Sequence, residues 1–389
     1  MTKIIIQPKK HGRIAGGHPW VYANEVAKID GPYINGDIVE VYDHHQHFLG
    51  KGYINDQSQI IVRILTKRKE DIIDANFFEQ KIKAAWNYRQ QIGYTKNCRV
   101  VFGEADGLPA LVVDKFDDVL VIQTLSLGID KWKSEIVEAL CIIFNTEKIY
   151  ERNDVSVREL EGLQQQTGFL KQSFETKFVM RQDGIKFWVD IVNGQKTGFF
   201  HDQRRNRLAL QPFVKNASVL DACSYTGSFS MYAAKFGAAN VEGIDISADA
   251  IAQCNNNAAL NDFKQCQFTE ANVFDELKKR VSNKQQYDVV LLDPPAFTKS
   301  RSNVEKALKG YKEVNLRGIQ LTKPGGYLVS SSCSHFIYTE EFKQVITDAA
   351  SDAGRMIRQV AFNPQSPDHP FIWNIKETHY LKCAILQVL

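Results

Sequence analysis

From Ile185 to the end, the chain alternates short apolar runs with helical stretches, and this alternation constrains its fold more than any other feature. The runs Val219–Asp221, Val241–Asp245, Gln267–Thr269, Val289–Asp293 and Tyr327–Ser331 predict strands, and Ser228–Phe236 and Ala248–Leu260 predict helices between them. Val289-Val290-Leu291-Leu292 shows no polar alternation, which predicts a strand buried on both faces, in a parallel sheet covered by helices. After Pro364, Pro367 and Pro370, the run Tyr380–Val388 predicts a last, antiparallel strand on that sheet. The expected class is α/β, with a Rossmann-like sheet over 185–389.

Two regions of different texture precede it. Residues 1–74 carry the short β-like runs Ile4–Gln7, Asp37–Tyr42, Phe48–Tyr53 and Ile60–Leu65, separated by Gly16-Gly17, Gly31-Pro32, Asn35-Gly36 and Asn55-Asp56. So many short strands in so few residues predict a compact barrel. Residues 75–181 mix helices, at Phe77–Gln91 and Lys131–Phe144, with strands at Arg99–Phe102, Ala110–Asp114, Val119–Thr124 and Lys148–Arg152. That reads as a small central α+β domain. A chain of 389 residues is long enough for three such domains.

Charge and cysteine content narrow the class. The net charge is only +3, but residues 1–69 hold ten basic against six acidic residues, so the first module attracts a phosphate backbone better than the rest. The seven cysteines, Cys98, Cys141, Cys223, Cys254, Cys266, Cys333 and Cys383, are scattered and form no CxxC pair. This argues against a disulfide framework and against a cysteine zinc site. No apolar run is long enough to cross a bilayer and the N-terminus is no signal peptide, so a cytoplasmic protein without a membrane partner is expected.

In open α/β sheets, ligands bind beyond the carboxyl ends of the strands. The first strand ends in Asp221-Ala222-Cys223-Ser224-Tyr225-Thr226-Gly227, and the second in Asp245, an acid suited to ribose hydroxyls. A turn with the single glycine Gly227 lacks the G-x-G-x-x-G that a pyrophosphate demands, and so favours S-adenosylmethionine over a dinucleotide. The fourth strand runs into Asp293-Pro294-Pro295-Ala296-Phe297. Here the prolines remove two N–H donors, leaving carbonyls, the Asp293 carboxyl and the Phe297 ring to meet a planar base.

The fifth strand ends in Ser332-Cys333-Ser334-His335, one strand from Asp293. A thiolate adding to C6 of cytosine makes C5 enamine-like, whereas methylation of an amino nitrogen needs no thiol. Cys333 therefore points to C5 chemistry. The polar run 194–205 predicts a wall of the cofactor site.

With these residues in place, the chain resembles the RlmI-like family of 23S rRNA cytosine-C5 methyltransferases over essentially its whole length. The likeness rests on Gly17-His18-Pro19-Trp20-Val21, Gly103-Glu104-Ala105-Asp106-Gly107-Leu108-Pro109, and Lys196-Thr197-Gly198-Phe199 with Asp202-Gln203-Arg204. It continues through Ser224-Tyr225-Thr226-Gly227, Asp293-Pro294-Pro295, Ser332-Cys333-Ser334, Asp352-Ala353-Gly354-Arg355 and Asp368-His369-Pro370.

The resemblance implies an N-terminal PUA RNA-binding barrel, a central α+β domain and a C-terminal class I methyltransferase domain. It also implies that Cys333 attacks the base while Asp293 holds and polarises it, with Pro294, Pro295 and Phe297 against the substrate. Tyr225, Thr226, Gly227, Asp245, Asn272 and Gln203 would line the S-adenosylmethionine site. The partner implied is RNA, as 23S rRNA or a large-subunit assembly intermediate; monomer and homodimer both stay open.

Two departures stand out. Ala296 replaces the lysine common in the Asp-Pro-Pro-Lys-Phe motif, and Asn272 stands where Asp is frequent. Two other readings are weighed against this one. One is an amino-nitrogen RNA methyltransferase using the Asp-Pro-Pro-Ala-Phe loop, and the other a non-catalytic RNA-binding ribosome-assembly factor.

Overall fold

The computed structural model describes residues 1–298 and 300–389. They form two compact units: one of Met1–Phe178, Val189–His201 and Pro367–Thr378, the other of Val179–Trp188, Asp202–Ser366 and His379–Leu389.

The first unit opens with β1 (Lys3–Ile6), α1 (Gly12–Ala15), β2 (Trp20–Tyr22), β3 (Val26–Asp30), β4 (Ile38–Tyr42), β5 (Phe48–Ile54) and β6 (Ile60–Thr66). These strands make one sheet in the order β2-β6-β5-β4-β1-β3 around Ile4, Ile6, Val21, Val39, Val41 and Val62, all fully buried. β2 and β3 were not expected from the sequence: β2 has three residues, too few to show an alternation.

The central part holds α2 (Ala75–Gln91), β7 (Cys98–Phe102), β8 (Leu111–Phe116), β9 (Val119–Thr124), α3 (Leu127–Lys131), α4 (Lys133–Phe144), β10 (Ile149–Asn153) and β11 (Gln166–Phe169). Its sheet runs β11-β10-β9-β8-β7. The helix expected over Lys131–Phe144 is interrupted at Trp132, whose ring packs on Phe78 with centroids 5.1 Å apart. The N-terminal and central parts lock together at Tyr53. Its hydroxyl donates to the Pro109 carbonyl at 3.0 Å, and its ring lies so close to Gly128 that a Cβ there would come within 2.0 Å.

The hairpin of β12 (Lys177–Gln182) and β13 (Ile185–Asp190) leads to α5 (Arg204–Leu208). The second unit then alternates β14 (Ser218–Ala222), α6 (Ser228–Lys235), β15 (Asn240–Asp245), α7 (Ala248–Leu260), β16 (Cys266–Glu270), α8 (Val273–Ser282), β17 (Tyr287–Leu292), α9 (Val304–Leu321), β18 (Thr322–Ser332), α10 (Thr339–Asp352), β19 (Ile357–Asn363) and β20 (Lys382–Val388). The sheet order is β16-β15-β14-β17-β18-β20-β19. β14 to β18 are parallel, and β20 is antiparallel to both β18 and β19, so the expected last strand is present.

Val289, Val290, Leu291 and Leu292 are essentially inaccessible, as the unbroken apolar run predicted. After β14 the chain builds outward to β15 and β16, then returns to place β17 on the other side of β14. That reversal opens the carboxyl ends of β14 and β17 for a ligand.

Candidate active site

The turn after β14 is wound tightly by its own sequence. Cys223 (φ 66°), Tyr225 (φ 48°) and Gly227 (φ 79°) all take left-handed backbone, and two of the three are not glycine. Such residues persist only where the surroundings hold them, and they concentrate at ligand sites. Here Asp245 accepts the Tyr225 N–H at 2.8 Å, the Cys254 thiol donates to the Tyr225 carbonyl at 2.9 Å, and the Asn257 amide donates to the Thr226 carbonyl at 2.9 Å. A Cβ on Gly227 would lie 3.1 Å from the Cys254 sulfur. Asp245 also accepts the Ser247 N–H at 3.0 Å, so its carboxylate ties the turn to the start of α7.

Acids gather at this edge. Asp221 is 1 % exposed; Ser230 donates its N–H and hydroxyl to one oxygen, at 3.1 and 2.6 Å, and the other has no hydrogen-bond partner among the described residues. Burial, with Asp245 nearby, pushes its pKa up to about 6. Asp293 stands just beyond β17, where burial and the neighbouring Asp202 and Asp221 raise it to about 7.

Gln203 donates to Asp293 at 2.8 Å and accepts from the buried Asn206 at 2.6 Å, which fixes the rotation of its amide. Asp202 is anchored by the Tyr380 hydroxyl at 2.6 Å. The buried Arg207 guanidinium offsets part of the charge of Asp202 and Asp293, and a bound cation is favoured beside the carboxylates that remain. S-adenosylmethionine carries two positive centres, a sulfonium and an ammonium, and no pyrophosphate. The orphaned Asp221 oxygen, the acid cluster and the crowded Gly227 turn all fit it.

Cys333 follows β18, whose Ser330 pairs with Leu292 of β17, so Cys333 and Asp293 leave adjacent strands at the same edge. The cysteine is partly exposed, unlike Cys98, Cys254 and Cys383. On either side of it, Ser332 and Ser334 are hydrogen-bonded to the Tyr311 hydroxyl of α9, at 3.0 and 3.1 Å. Tyr311 itself is buried and held neutral, its pKa raised to about 12 by burial. Cys223, by contrast, has its thiol pushed far up by burial and by Asp245, Asp293 and Asp221, which makes it inert.

The other expected residues have defined places. Asn272 caps α8, its side-chain oxygen accepting the Phe274 N–H at 3.0 Å. That oxygen keeps a second lone pair. Phe297 packs on Tyr311 with centroids 4.6 Å apart and closes over Gly310, whose added Cβ would meet the ring at 3.2 Å. It braces the loop from within, while Pro295 is exposed. His335 stacks on Tyr380 at 5.3 Å.

Sequence reasoning missed Tyr311, Asn206 and Lys382. The ammonium of Lys382, on β20, donates to the carbonyls of Ser334, Ile337 and Tyr380 at 2.7, 2.8 and 2.8 Å. An unpaired lysine inside an otherwise apolar closing strand, Leu381-Lys382-Cys383-Ala384-Ile385, was the signal available for it.

Comparisons agree with this architecture. Residues 4–67 match the model of a PUA-like domain, and residues 213–379 that of a methyltransferase domain. A curated protein of Alteromonas mediterranea named "Ribosomal RNA large subunit methyltransferase I" is 38% identical over 392 residues, covering 100% of this chain and 99% of that protein. One of the same name from Shewanella frigidimarina is 39% identical over 394 residues, covering 99% of each.

Among solved structures, SMU.776, described as a methyltransferase complexed with SAH, superposes over 100% of both chains with a TM-score of 0.85 at 20% identity. Trm5b from Pyrococcus abyssi covers 71% of this chain and 74% of its own, with a TM-score of 0.53 at 16% identity. At those identities the structural likeness speaks for the fold.

Proposed function

Because the chain belongs to the ribosomal RNA large subunit methyltransferase I family, we propose that it methylates C5 of a cytosine in 23S rRNA through a covalent bond between Cys333 and C6. The observation that carries this reading is the partly exposed thiol, held by Tyr311 through both flanking serines, one strand from an acid whose proton persists to near neutrality. Methylation of an amino nitrogen would leave that thiol without a task.

S-adenosylmethionine, when bound, supplies an electrophilic methyl group; Tyr225, Thr226, Gly227, Asp245, Asn272 and Gln203 are the residues proposed to hold it. The remaining chemistry belongs to the chain. The Cys333 thiolate forms a bond to C6 of the cytosine, and the C5–C6 π pair becomes available at C5. Asp293, oriented by Gln203, hydrogen-bonds or protonates the ring nitrogen, which makes C6 more electrophilic during the attack. Once C5 carries its methyl group, removal of the C5 proton returns that pair to the ring and expels the thiolate. Pro294 and Pro295 keep the loop rigid against the base, with Phe297 braced behind it.

The PUA-like module, with its excess of basic residues, is proposed to hold the RNA, either in 23S rRNA or in a large-subunit assembly intermediate. No helix of the described residues is long and apolar enough to cross a membrane. The test is nucleoside mass spectrometry of rRNA from cells with and without the protein. Loss of one 5-methylcytidine is the expected result, whereas loss of an N-methylated nucleoside with all 5-methylcytidines intact refutes the reading.

A further inference from the structure

Lys382 is 3 % exposed and, among the described residues, forms no ion pair. Its position is fixed by the register of β20 on β18, which sets it opposite Ser332, the residue before Cys333. The ammonium then reaches the carbonyl of Ser334, the residue after Cys333, as well as those of Ile337 and Tyr380. It thus sits under the turn that presents the thiol. A buried cation is costly, and here three carbonyls and the nearby charge of Glu341 offset that cost. Burial pulls its pKa down to about 8, and the neighbouring Cys333 and Glu341 act in the opposite direction.

We propose that Lys382 is a positioning residue that keeps the nucleophile of this enzyme in its thiolate form, by holding a positive charge beneath the Ser332-Cys333-Ser334 turn. The inference rests on the reading of Cys333 as the nucleophile. Around this turn Asp293 and Glu341 are acids, Tyr311 is neutral, His379 has its pKa lowered by burial and by Lys382, and His335, two residues on from the thiol, stacks on Tyr380.

The same charge serves the reaction twice. It stabilises the sulfur lone pair before that pair forms the S–C6 bond, and again when the bond breaks and the pair returns to sulfur. Lys382 transfers no proton in either step.

The test needs no RNA. Alkylation of Cys333 by iodoacetamide is followed as a function of pH by peptide mass spectrometry, in the wild-type protein, Lys382→Met and Lys382→Arg. The expected result is a midpoint raised by about one pH unit or more in Lys382→Met, with roughly tenfold slower alkylation at pH 7, and a midpoint largely restored in Lys382→Arg. A midpoint unchanged in folded Lys382→Met overturns the proposal.

If that variant does not fold, Lys382→Gln takes its place, with the same raised midpoint expected and an unchanged midpoint overturning the proposal. Failure of the nucleophile reading shows elsewhere, as methyl transfer retained in Cys333→Ser.

Discussion

At the scale of single residues, the site is organised by where charge is kept out of water. Asp221 and Asp293 hold protons to about pH 6 and 7, because burial and mutual repulsion disfavour their ionised forms. A cation bound against Asp221 favours its ionised form and must displace a proton wherever that acid is still protonated, whereas Asp293 keeps its proton for the base. Affinity for S-adenosylmethionine is therefore lowest at acid pH and rises as Asp221 ionises. Calorimetric titrations should show binding roughly fourfold tighter at pH 8 than at pH 5.5, with proton release near pH 6. Binding that is flat across this range would remove the acid cluster from the cofactor site. The two kinds of cysteine follow the same logic: Cys223, among acids, is held as a thiol, while Cys333 has a cation beneath its turn.

At the scale of elements, the chain places its chemistry on strand ends and fixes it from neighbouring helices. The turn between β14 and α6 shows how little freedom remains. Replacing Gly227 by alanine forces a Cβ to 3.1 Å from the Cys254 sulfur and leaves an L-residue at φ 79°. The backbone penalty alone is about 1–2 kcal/mol. Gly227→Ala should lower Tm by a few degrees and weaken S-adenosylmethionine binding more than tenfold, measured by thermal shift and calorimetry. Full binding in this variant would show that the turn is not a close-approach site.

Much of this level was legible in the sequence. α7 runs over Ala248–Leu260 as its pattern predicted, because Ser247 accepts the Ala250 N–H and caps it. The strands β2, β3, β11, β12, β13 and β19 were not anticipated. Most are short, or like Ile357–Asn363 largely solvent-accessible, and show no hydrophobic pattern; β13 does alternate and was passed over.

At the scale of the whole molecule, strand order was the decisive information. Knowing that an apolar run ends in Asp293 and another in Ser332 is enough to set the two at one sheet edge, once the sheet is recognised as parallel. The bonds that tune them were out of reach. Gln203 and Asp293 lie 90 positions apart, and Lys382 meets the turn at Ser334 only because the last strand enters antiparallel beside β18. Such pairings depend on the closed topology and leave no local periodicity.

That topology leads to one central claim, that Cys333 forms a covalent bond with its substrate. It is tested by incubating the protein with S-adenosylmethionine and a large-subunit rRNA fragment carrying 5-fluorocytosine, where fluorine at C5 blocks the final proton loss. A denaturation-resistant protein–RNA adduct, present in the wild type and absent in Cys333→Ser, is the predicted result. Undiminished methyl transfer to unmodified RNA by Cys333→Ser would contradict it.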